Sequence, residues 1–346
     1  MKIALDAMGG DFAPEQVVAG GVQAHRELGV EVIFVGVKEK VDAALAASGA
    51  GKWAEIEDAP EVIAMDEHPA QAVRTKKASS IVRGIQMVED GRANGFVSAG
   101  NSGAVMAAAL FGLHRIAGVD RPAIGSIIPT AGGKNCFLLD VGANTDAKPE
   151  HLVQYALMGS VYAEKLMAIQ SPRVALLSNG EEPGKGNQLV QATEPLLRAL
   201  QGVNFVGNIE GKDIFKGKAD VVVTDGFSGN ILIKTAEGVA EFVFQSVRDA
   251  VQGDPLATLG GLLIRPKLRA VRRRADWREF GGAVLLGVNG VAVIAHGRSD
   301  ARATYNAVRV ARDAVQQQVV PTIAAAVHSL APTPQQTAHK SAPLVT

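Results

Sequence analysis

The amino-acid sequence predicts an α/β fold in which helices cover a mostly parallel β-sheet. Short runs rich in β-branched residues alternate with segments of helical periodicity from the first residues onward, which is the rhythm of β-α-β units. Hydrophobic residues make up 47% of the 346 residues and charged residues 20%, a balance typical of a packed globular chain rather than a disordered one.

The predicted elements follow that rhythm. Apolar, β-branched runs predict strands at residues 2–6, 30–36, 95–98, 123–128, 136–140, 173–178, 203–207 and 220–224. Helical periodicity predicts helices at residues 14–28, 38–47, 102–116, 150–169, 188–200 and 229–251. Two further apolar runs, 283–288 and 291–295, flank Asn289-Gly290 and predict a hairpin with a tight turn. We expect one domain over residues 1–330, because no Pro/Ser-rich linker interrupts it, and a disordered tail at 331–346, which is rich in Pro, Gln, Thr and Ala.

Charge and cysteine content exclude several classes of protein. Lys plus Arg and Asp plus Glu both total 35, so no overall positive field attracts nucleic acid. The single cysteine, Cys136, excludes an intrachain disulfide and lies in an apolar run where a buried thiol is expected. The short apolar run after Lys2 does not resemble a signal peptide, and no apolar stretch is long enough to span a membrane. We therefore expect a cytoplasmic protein.

Two loops share the pattern hydroxyl, any residue, Gly, any residue, Ser, Gly: residues 98–103 and 224–229. Each follows a predicted strand and precedes a predicted helix, so glycines could bring backbone N–H groups and a helix N-terminus to an anion. Polar loops also follow the strands ending at Asp6 and Asp140, and four such loops would line one crevice. The alternative is that Ser102 and Ser228 only cap their helices.

The chain lacks the known nucleotide motifs: there is no G-x-G-x-x-G after the first strand and no G-x-x-x-x-G-K-[ST].

Lys185, in the loop EEPGKGN, offers a movable cation for an anion site, although a solvated loop lysine is an equal alternative. Asp225 is the favoured functional carboxylate because it lies in a repeated loop, while structural hydrogen bonding explains most such aspartates. Histidine and carboxylate spacings indicate no metal, and no cofactor is expected. Because no G-x-S-x-G serine is present, a bound co-substrate is expected to attack directly.

Two basic segments suggest surfaces for partners. Arg74, Lys76 and Lys77 stand just before a predicted helix, where they would neutralise a phosphate or bind an acidic protein, unless they are simply a solvated helix start. Residues 254–274 combine leucines at near-helical spacing with six Arg and Lys residues, a pattern typical of an interfacial membrane contact. Packing of a helical hairpin, across a dimer or within one chain, is the competing interpretation. The leucines concerned are Leu256, Leu259, Leu262 and Leu263.

Several long strings together resemble one family. DAMGGD, DEHPAQAVRTKKASSIVRG, SAGNSGA, DVGANTD, GNIEGKDIFKGKADVVVTDGFSGN and GGAVLLGVNG, spread over residues 6 to 290, resemble the bacterial phosphate acyltransferase of phospholipid synthesis, the PlsX family. The resemblance implies a three-layer α/β/α sandwich similar to isopropylmalate dehydrogenase and phosphotransacetylase, with a protruding helical pair at about residues 238–278. It also implies a homodimer that associates peripherally with the inner face of the membrane.

The family's reaction converts a long-chain acyl-acyl carrier protein and inorganic phosphate into an acyl phosphate, which a membrane glycerol-3-phosphate acyltransferase consumes. Carried onto this chain, it suggests that Lys185, Asp225 and Asn230 are catalytic and that Arg74, Lys76 and Lys77 bind the carrier protein. The phosphate would contact Gly100, Asn101, Ser102, Ser228 and Gly229. Rival hypotheses are a phosphotransacetylase-like enzyme that uses acyl-coenzyme A, a non-catalytic membrane-associated scaffold, and a hydroxy-acid dehydrogenase, which lacks its cofactor motif.

Overall fold

A computed structural model describes residues 1–50, 53–252, 255–274 and 276–330. The predicted disordered tail, 331–346, lies outside the described residues. Within the described part, eleven strands form one sheet in the order β3-β2-β1-β4-β11-β10-β5-β6-β9-β7-β8. The strands are β1 Lys2–Asp6, β2 Glu31–Gly36, β3 Glu55–Asp58, β4 Gly95–Ser98, β5 Ala123–Pro129, β6 Asn135–Leu139, β7 Arg173–Leu177, β8 Asn204–Ile209, β9 Val221–Val223, β10 Ala283–Leu286 and β11 Val291–Ile294.

Helices cover both faces of this sheet. They are α1 Glu15–Leu28, α2 Lys38–Ala47, α3 Pro69–Thr75, α4 Ser80–Glu89, α5 Ser102–Gly112, α6 Pro149–Leu166, α7 Gln188–Ala199, α8 Gly211–Ile214, α9 Gly226–Gln252, α10 Pro255–Arg274, α11 Ala301–Gln316 and α12 Val319–Leu330. The central strands are buried on both faces, so their residues are apolar at nearly every position and alternate between two cores. In β1, Ile3 and Leu5 belong to one core and Ala4 to the other. The predicted three-layer architecture is confirmed.

The two cores define the two faces. The first face packs against α1, α2, α6, α7, α11 and α12, whose buried residues join one large cluster. On the second face, α3, α4 and α5 cover one half of the sheet, and α8 covers the other half together with Leu232 of α9. The buried apolar residues of the second face therefore form two separate clusters, one on each half of the sheet.

Strand direction reverses in the middle of the sheet. The strands β2, β1, β4 and β11 are parallel to one another, and so are β6, β9, β7 and β8. Three antiparallel pairings, β11 with β10, β10 with β5, and β5 with β6, lie between these groups and make the groups run in opposite directions. One row of paired residues nevertheless crosses both groups: Val97, Val293, Val284, Gly125, Leu139, Val223 and Leu176.

Several local predictions differ from the structure. The sequence analysis missed β3 and α3. The helix predicted to follow the three cations is α4, but Arg74 itself lies in the last turn of α3. The predicted hairpin of β10 and β11 is confirmed as antiparallel, but its connection spans residues 287–290 because Val288 leaves the strand and bridges to Arg115. Helix α9 begins at Gly226 rather than at residue 229, since Asp225 supplies the cap.

Candidate active site

The glycine loops lie along the common row of the sheet. Asp6 and Ser98 come directly after the row residues Leu5 and Val97. Asp140 and Thr224 come directly after the row residues Leu139 and Val223, but on the opposite side of the row, because the two groups of strands run in opposite directions. The two sets of loops therefore leave the sheet toward opposite edges, each starting one residue from the row, and β11, β10 and β5 lie between them in the strand order. We call them the α5 bank and the α9 bank, after the helix that each set begins. Four strand spacings separate β4 from β6, or about 19 Å at roughly 4.8 Å each.

The α5 bank is held by a buried carboxylate. The Ser98 hydroxyl donates to Asp6 Oδ2 at 2.6 Å and accepts the Gly100 N–H at 3.0 Å, while Met8 N donates to Asp6 Oδ1 at 3.0 Å. Burial raises the pKa of Asp6, and hydrogen bonds from Ser80 and Ser98 oppose that change. The Gly100 N–H is bound to the Ser98 hydroxyl, so Gly100 shapes the loop, and the anion contact predicted for it stays a prediction.

Asn101, not Ser102, caps helix α5. Its Oδ1 accepts the Ala104 N–H at 3.0 Å, and its Nδ2 donates to the carbonyls of Ala64, Met65 and Glu67 at 3.1 to 3.2 Å. Both ends of the side-chain amide thus have partners inside the protein, and the phosphate contact predicted for Asn101 stays a prediction. Ser102 is exposed, and its hydroxyl has no hydrogen-bond partner within the described part of the chain. At the start of α5, the Ser102 hydroxyl is therefore a side-chain group that can bind a ligand.

The α9 bank is built around Asp140. Its carboxylate accepts the N–H groups of Ile124, Gly142, Ala143 and Asn144 at 2.8 to 3.2 Å, as well as the Asn144 side-chain amide at 3.0 Å. Burial raises the pKa of Asp140, and these donors oppose the change. The loop at 140–145 therefore turns its N–H groups toward its own aspartate. It forms one side of the crevice without being an anion site itself.

The cap of α9 changes the roles predicted for its first residues. Asp225 accepts the Ser228 N–H and the Ser228 hydroxyl, both at 2.8 Å, and its carbonyl accepts the Gly229 N–H at 3.0 Å. Both N–H groups thus have acceptors on Asp225, the carboxylate for Ser228 and the backbone carbonyl for Gly229, and the phosphate contacts predicted for these residues stay predictions. Asp225 holds the start of the helix, as a loop-orienting residue would.

Two predicted residues of the α9 bank remain available. Asn230 is half-buried beside Gly142, where an added Cβ would stand 3.5 Å from the Asn230 amide nitrogen. Lys185 is exposed in the loop after β7, next to β9 in the sheet. Within the described ranges, neither side chain has a hydrogen-bond or ion-pair partner. Lys185 and Ser102 follow strands that are six places apart in the sheet, a separation of about 29 Å between those strands.

Helix α9 connects the two banks. The helix starts beside the loop that follows Asp140 and then passes His296, which follows β11. Farther along α9, Glu241 forms a 2.8 Å ion pair with Arg298. The Arg298 N–H lies 3.2 Å from His296 Nδ1, which accepts it and leaves the other ring nitrogen to carry the proton. Burial lowers the pKa of His296, and Glu237 opposes that shift. The sequence analysis did not select His296, because a lone histidine carries no motif.

The basic segment divides into bound and unbound cations. Lys76 donates to Glu67 at 2.6 Å and to the Val62 carbonyl at 2.8 Å, so it is committed to its own loop. Arg74 lies over the Phe111 ring, 5.5 Å from its centroid, and Lys77 is exposed. For the residues that the structure describes, Arg74 and Lys77 have no carboxylate partner. Of the three cations predicted to bind the carrier protein, only these two are free.

The helical pair exposes the leucines named above. Leu256, Leu259, Leu262 and Leu263 are 78%, 57%, 57% and 76% exposed on α10, which packs against α9. None of the helices in the described part of the chain is long and apolar enough to cross a membrane. Exposure of these side chains is what a membrane contact requires, but it does not identify the contact.

One cluster of carboxylates has the spacing of a metal site. Single oxygens of Glu181, Glu210 and Asp213 lie within 4.8 Å of one another. Lys218 donates to Glu181 at 2.6 Å and approaches Asp213 at 3.2 Å, while Lys216 and Lys212 pair with Asp213 and Glu210. The ammonium groups already supply the countercharge, so we assign no metal to this cluster.

Comparison with known proteins identifies close relatives. Residues 1–322 match the profile of a family described as "Fatty acid synthesis protein". The chain is 50% identical over 330 residues to the phosphate acyltransferase of Pelotomaculum thermopropionicum, covering 95% of this chain and 96% of that protein. It is 52% identical over 326 residues to the phosphate acyltransferase of Heliobacterium modesticaldum, with 93% and 96% coverage.

Solved structures show the same fold at lower identity. The EutD phosphotransacetylase from Staphylococcus aureus superposes with a TM-score of 0.60 at 19% identity, covering 91% of this chain and 94% of that one. A phosphotransacetylase from Streptococcus pyogenes gives 0.59 at 20% identity, with 95% and 94% coverage. These similarities confirm the predicted phosphotransacetylase-like fold.

Proposed function

Because the chain belongs to the phosphate acyltransferase family, we propose that it transfers a long-chain acyl group from acyl carrier protein to inorganic phosphate. The product is an acyl phosphate, and the carrier protein leaves as a free thiol. The observation that carries this proposal is the α9 bank: Lys185, in the loop after β7, and Asn230, near the capped start of α9, have no side-chain partner among the described residues.

The reaction divides between the two banks. Phosphate binds on the α9 bank, where Lys185 offsets its charge, and a phosphate oxygen attacks the thioester carbon. As the C–O bond forms and the C–S bond breaks, the sulfur leaves with the electron pair and takes a proton. Asn230 donates to the carbonyl oxygen as it becomes an oxyanion. The thioester arrives from the α5 bank, where Ser102 and the unpaired N–H groups of the first helical turn face the crevice.

Asp225 acts through the loop in this proposal. Its two carboxylate oxygens accept the N–H and hydroxyl of Ser228 and thereby fix the first turn of α9, which carries Asn230. It is therefore a positioning residue. Holding the attacking phosphate and the thioester in line contributes much of the rate, because the reaction between them becomes effectively unimolecular.

The decisive experiment measures phosphate-dependent release of carrier-protein thiol by Lys185→Ala and Asn230→Ala variants. We expect Asn230→Ala to lower turnover on the order of 100-fold and Lys185→Ala to raise the KM for phosphate. Lys40→Ala, which removes an exposed lysine on α2, is the control and keeps the wild-type rate. Unchanged turnover and phosphate KM in both site variants would show that the α9 bank is not the site.

The rival donor is an acyl-coenzyme A thioester. A comparison of acyl carrier protein and coenzyme A thioesters of equal chain length on the same enzyme separates the two. We expect a higher kcat/KM with the carrier protein, and the reverse order identifies a phosphotransacetylase-like enzyme. A non-catalytic scaffold would release no thiol from either donor.

We also propose that the α10 leucines hold the enzyme at the surface of an anionic membrane, where an acyl phosphate can pass to a glycerol-3-phosphate acyltransferase. Six Arg and Lys residues adjoin the exposed leucines in sequence, as an interfacial contact requires. In flotation with anionic vesicles, Leu263→Asp should lose binding, whereas Leu196→Asp, at an exposed leucine of α7, should retain it. Equal flotation of both variants contradicts the assignment. A homodimer is part of the same proposal, and sedimentation of the purified chain tests it.

A further inference from the structure

Helix α5 has an apolar surface on its outward side. Between Gly103 and Gly112 it carries no charged or amide side chain. Its inner side is buried against the sheet by Ala104, Val105, Ala108 and Ala109, and α3 and α4 pack on its flanks. Phe111 nevertheless remains 48% exposed, with Leu110 half-buried beside it. Surface helices normally turn polar residues to solvent, so this face has the composition of a contact surface.

Two uncompensated cations adjoin this face. Arg74 stacks over Phe111, and Lys77 extends from the loop after α3, each without a carboxylate partner in the described ranges. Lys76, between them, is neutralised by Glu67. Glu89 of α4 stands 3.5 Å from where a Cβ on Gly112 would lie, and it has no ion pair with either cation in the described ranges. An apolar ring flanked by free cations is complementary to an acidic helix with an apolar residue at its centre.

We propose that Phe111, Arg74 and Lys77 form the docking surface for the acidic carrier protein, with Phe111 as its apolar anchor. This inference rests on the proposed function for the identity of the partner. Phe111 lies nine residues along α5 from Ser102, or about 14 Å at 1.5 Å per residue. A carrier protein that docks at Phe111 would thus present its thioester through an extended arm that runs along α5 toward the crevice.

The test compares the KM for acyl carrier protein in three variants. We expect Phe111→Ala and Lys77→Glu each to raise that KM about tenfold with little change in kcat, and the effect of Lys77→Glu to shrink as ionic strength rises. Lys40→Glu reverses a charge on α2 and should leave the KM unchanged. A truncated acyl thioester that lacks the carrier protein should react equally with all variants, which separates docking from damage to the crevice.

Two results overturn the docking surface. One is an unchanged carrier-protein KM in Phe111→Ala and Lys77→Glu. The other is a loss of self-association by these variants in sedimentation, which would assign the surface to a second copy of the chain. If the wild-type enzyme releases no thiol from acyl carrier protein in the presence of phosphate, the proposed function itself fails, and that outcome is distinct from both.

Discussion

Adding one methyl group at Gly229 tests how closely the start of α9 packs against the loop that follows β6. A Cβ built there would stand 1.9 Å from the Asp140 carbonyl oxygen and 3.1 Å from Thr224 Cγ2. Because contacts closer than 3.0 Å essentially never occur, the start of α9 and the Asp140 loop would have to separate by about 1.1 Å. The closest neighbour, the Asp140 carbonyl, is backbone at the end of a central strand, so rotating a side chain cannot relieve the clash.

We expect two measurable consequences of Gly229→Ala. Overpacking of this kind costs about 1–3 kcal/mol or more, which should lower the urea concentration at the midpoint of unfolding. Asn230 is the next residue, and a displacement near 1 Å in a catalytic group costs up to about 100-fold in turnover. Unfolding followed by circular dichroism and thiol release under saturating substrate measure the two effects separately.

Gly238→Ala is the matched control. Gly238 lies on the same helix, and a Cβ there would have no atom within 4 Å in the described structure. Replacing an unconstrained helical glycine with alanine should stabilise the protein by up to about 1 kcal/mol and leave turnover unchanged. If Gly229→Ala unfolds at the same urea concentration as Gly238→Ala and keeps wild-type turnover, the close approach of α9 to Asp140 is wrong.

Three other predictions concern the hydrogen bonding, burial and charge of single side chains. Asn101→Ala should lose about 1–3 kcal/mol of stability, because it removes a helix cap and the contacts of the amide with three carbonyls. Ser102→Ala should unfold like the wild type. Equal urea midpoints for the two variants would contradict the capping role of Asn101. Burial raises the pKa of the Cys136 thiol to about 12, so a thiol reagent should label it only in denaturant, and rapid labelling of the native protein would show that β6 is accessible. Asp220 has its pKa lowered on balance, since partial burial raises it but hydrogen bonds from Arg173 outweigh that effect. Its contribution to stability should be complete above the unfolded pKa of about 3.9 and decline as the pH falls through the lower folded value. Asp220→Asn should therefore be less stable at pH 7 and lose less stability on acidification, and identical pH profiles would exclude the ion pair's role.

Local sequence patterns predicted most elements near the site. Strand β4 and its Gly-Asn-Ser-Gly loop were predicted as a buried strand followed by a helix, because a short apolar run and a capping segment are local signals. Helix α3 was missed because the basic segment between Pro69 and Ser80 resembles a loop, and tertiary packing on α5 stabilises the seven residues of α3.

Some residues of the candidate site could likewise be identified from the sequence, whereas others required the structure. Lys185 and Asn230 were identified by residue type and spacing, and the structure leaves both unpaired within the ranges it describes. Asn101, Ser228 and Gly229 had the same apparent qualification, yet their groups are bound by Asp225 or by carbonyls of residues 64, 65 and 67. A hydrogen-bonding group looks alike in a sequence whether or not a distant partner satisfies it, so this distinction requires coordinates.

The sequence by itself determined the α/β class, the loops that end the strands and, through long matching strings, the family. These depend on residue type and short-range order, since periodicity and glycine placement act over a few residues. Only the tertiary structure decided where these loops lie relative to one another. The direction of the strands reverses at β10 and β5, yet one register row runs from Val97 to Val223, so loops far apart in sequence start one residue from the same row, on opposite sides of it. That arrangement arises from pairing between strands more than a hundred residues apart, such as β5 and β10, a long-range choice that no local pattern encodes.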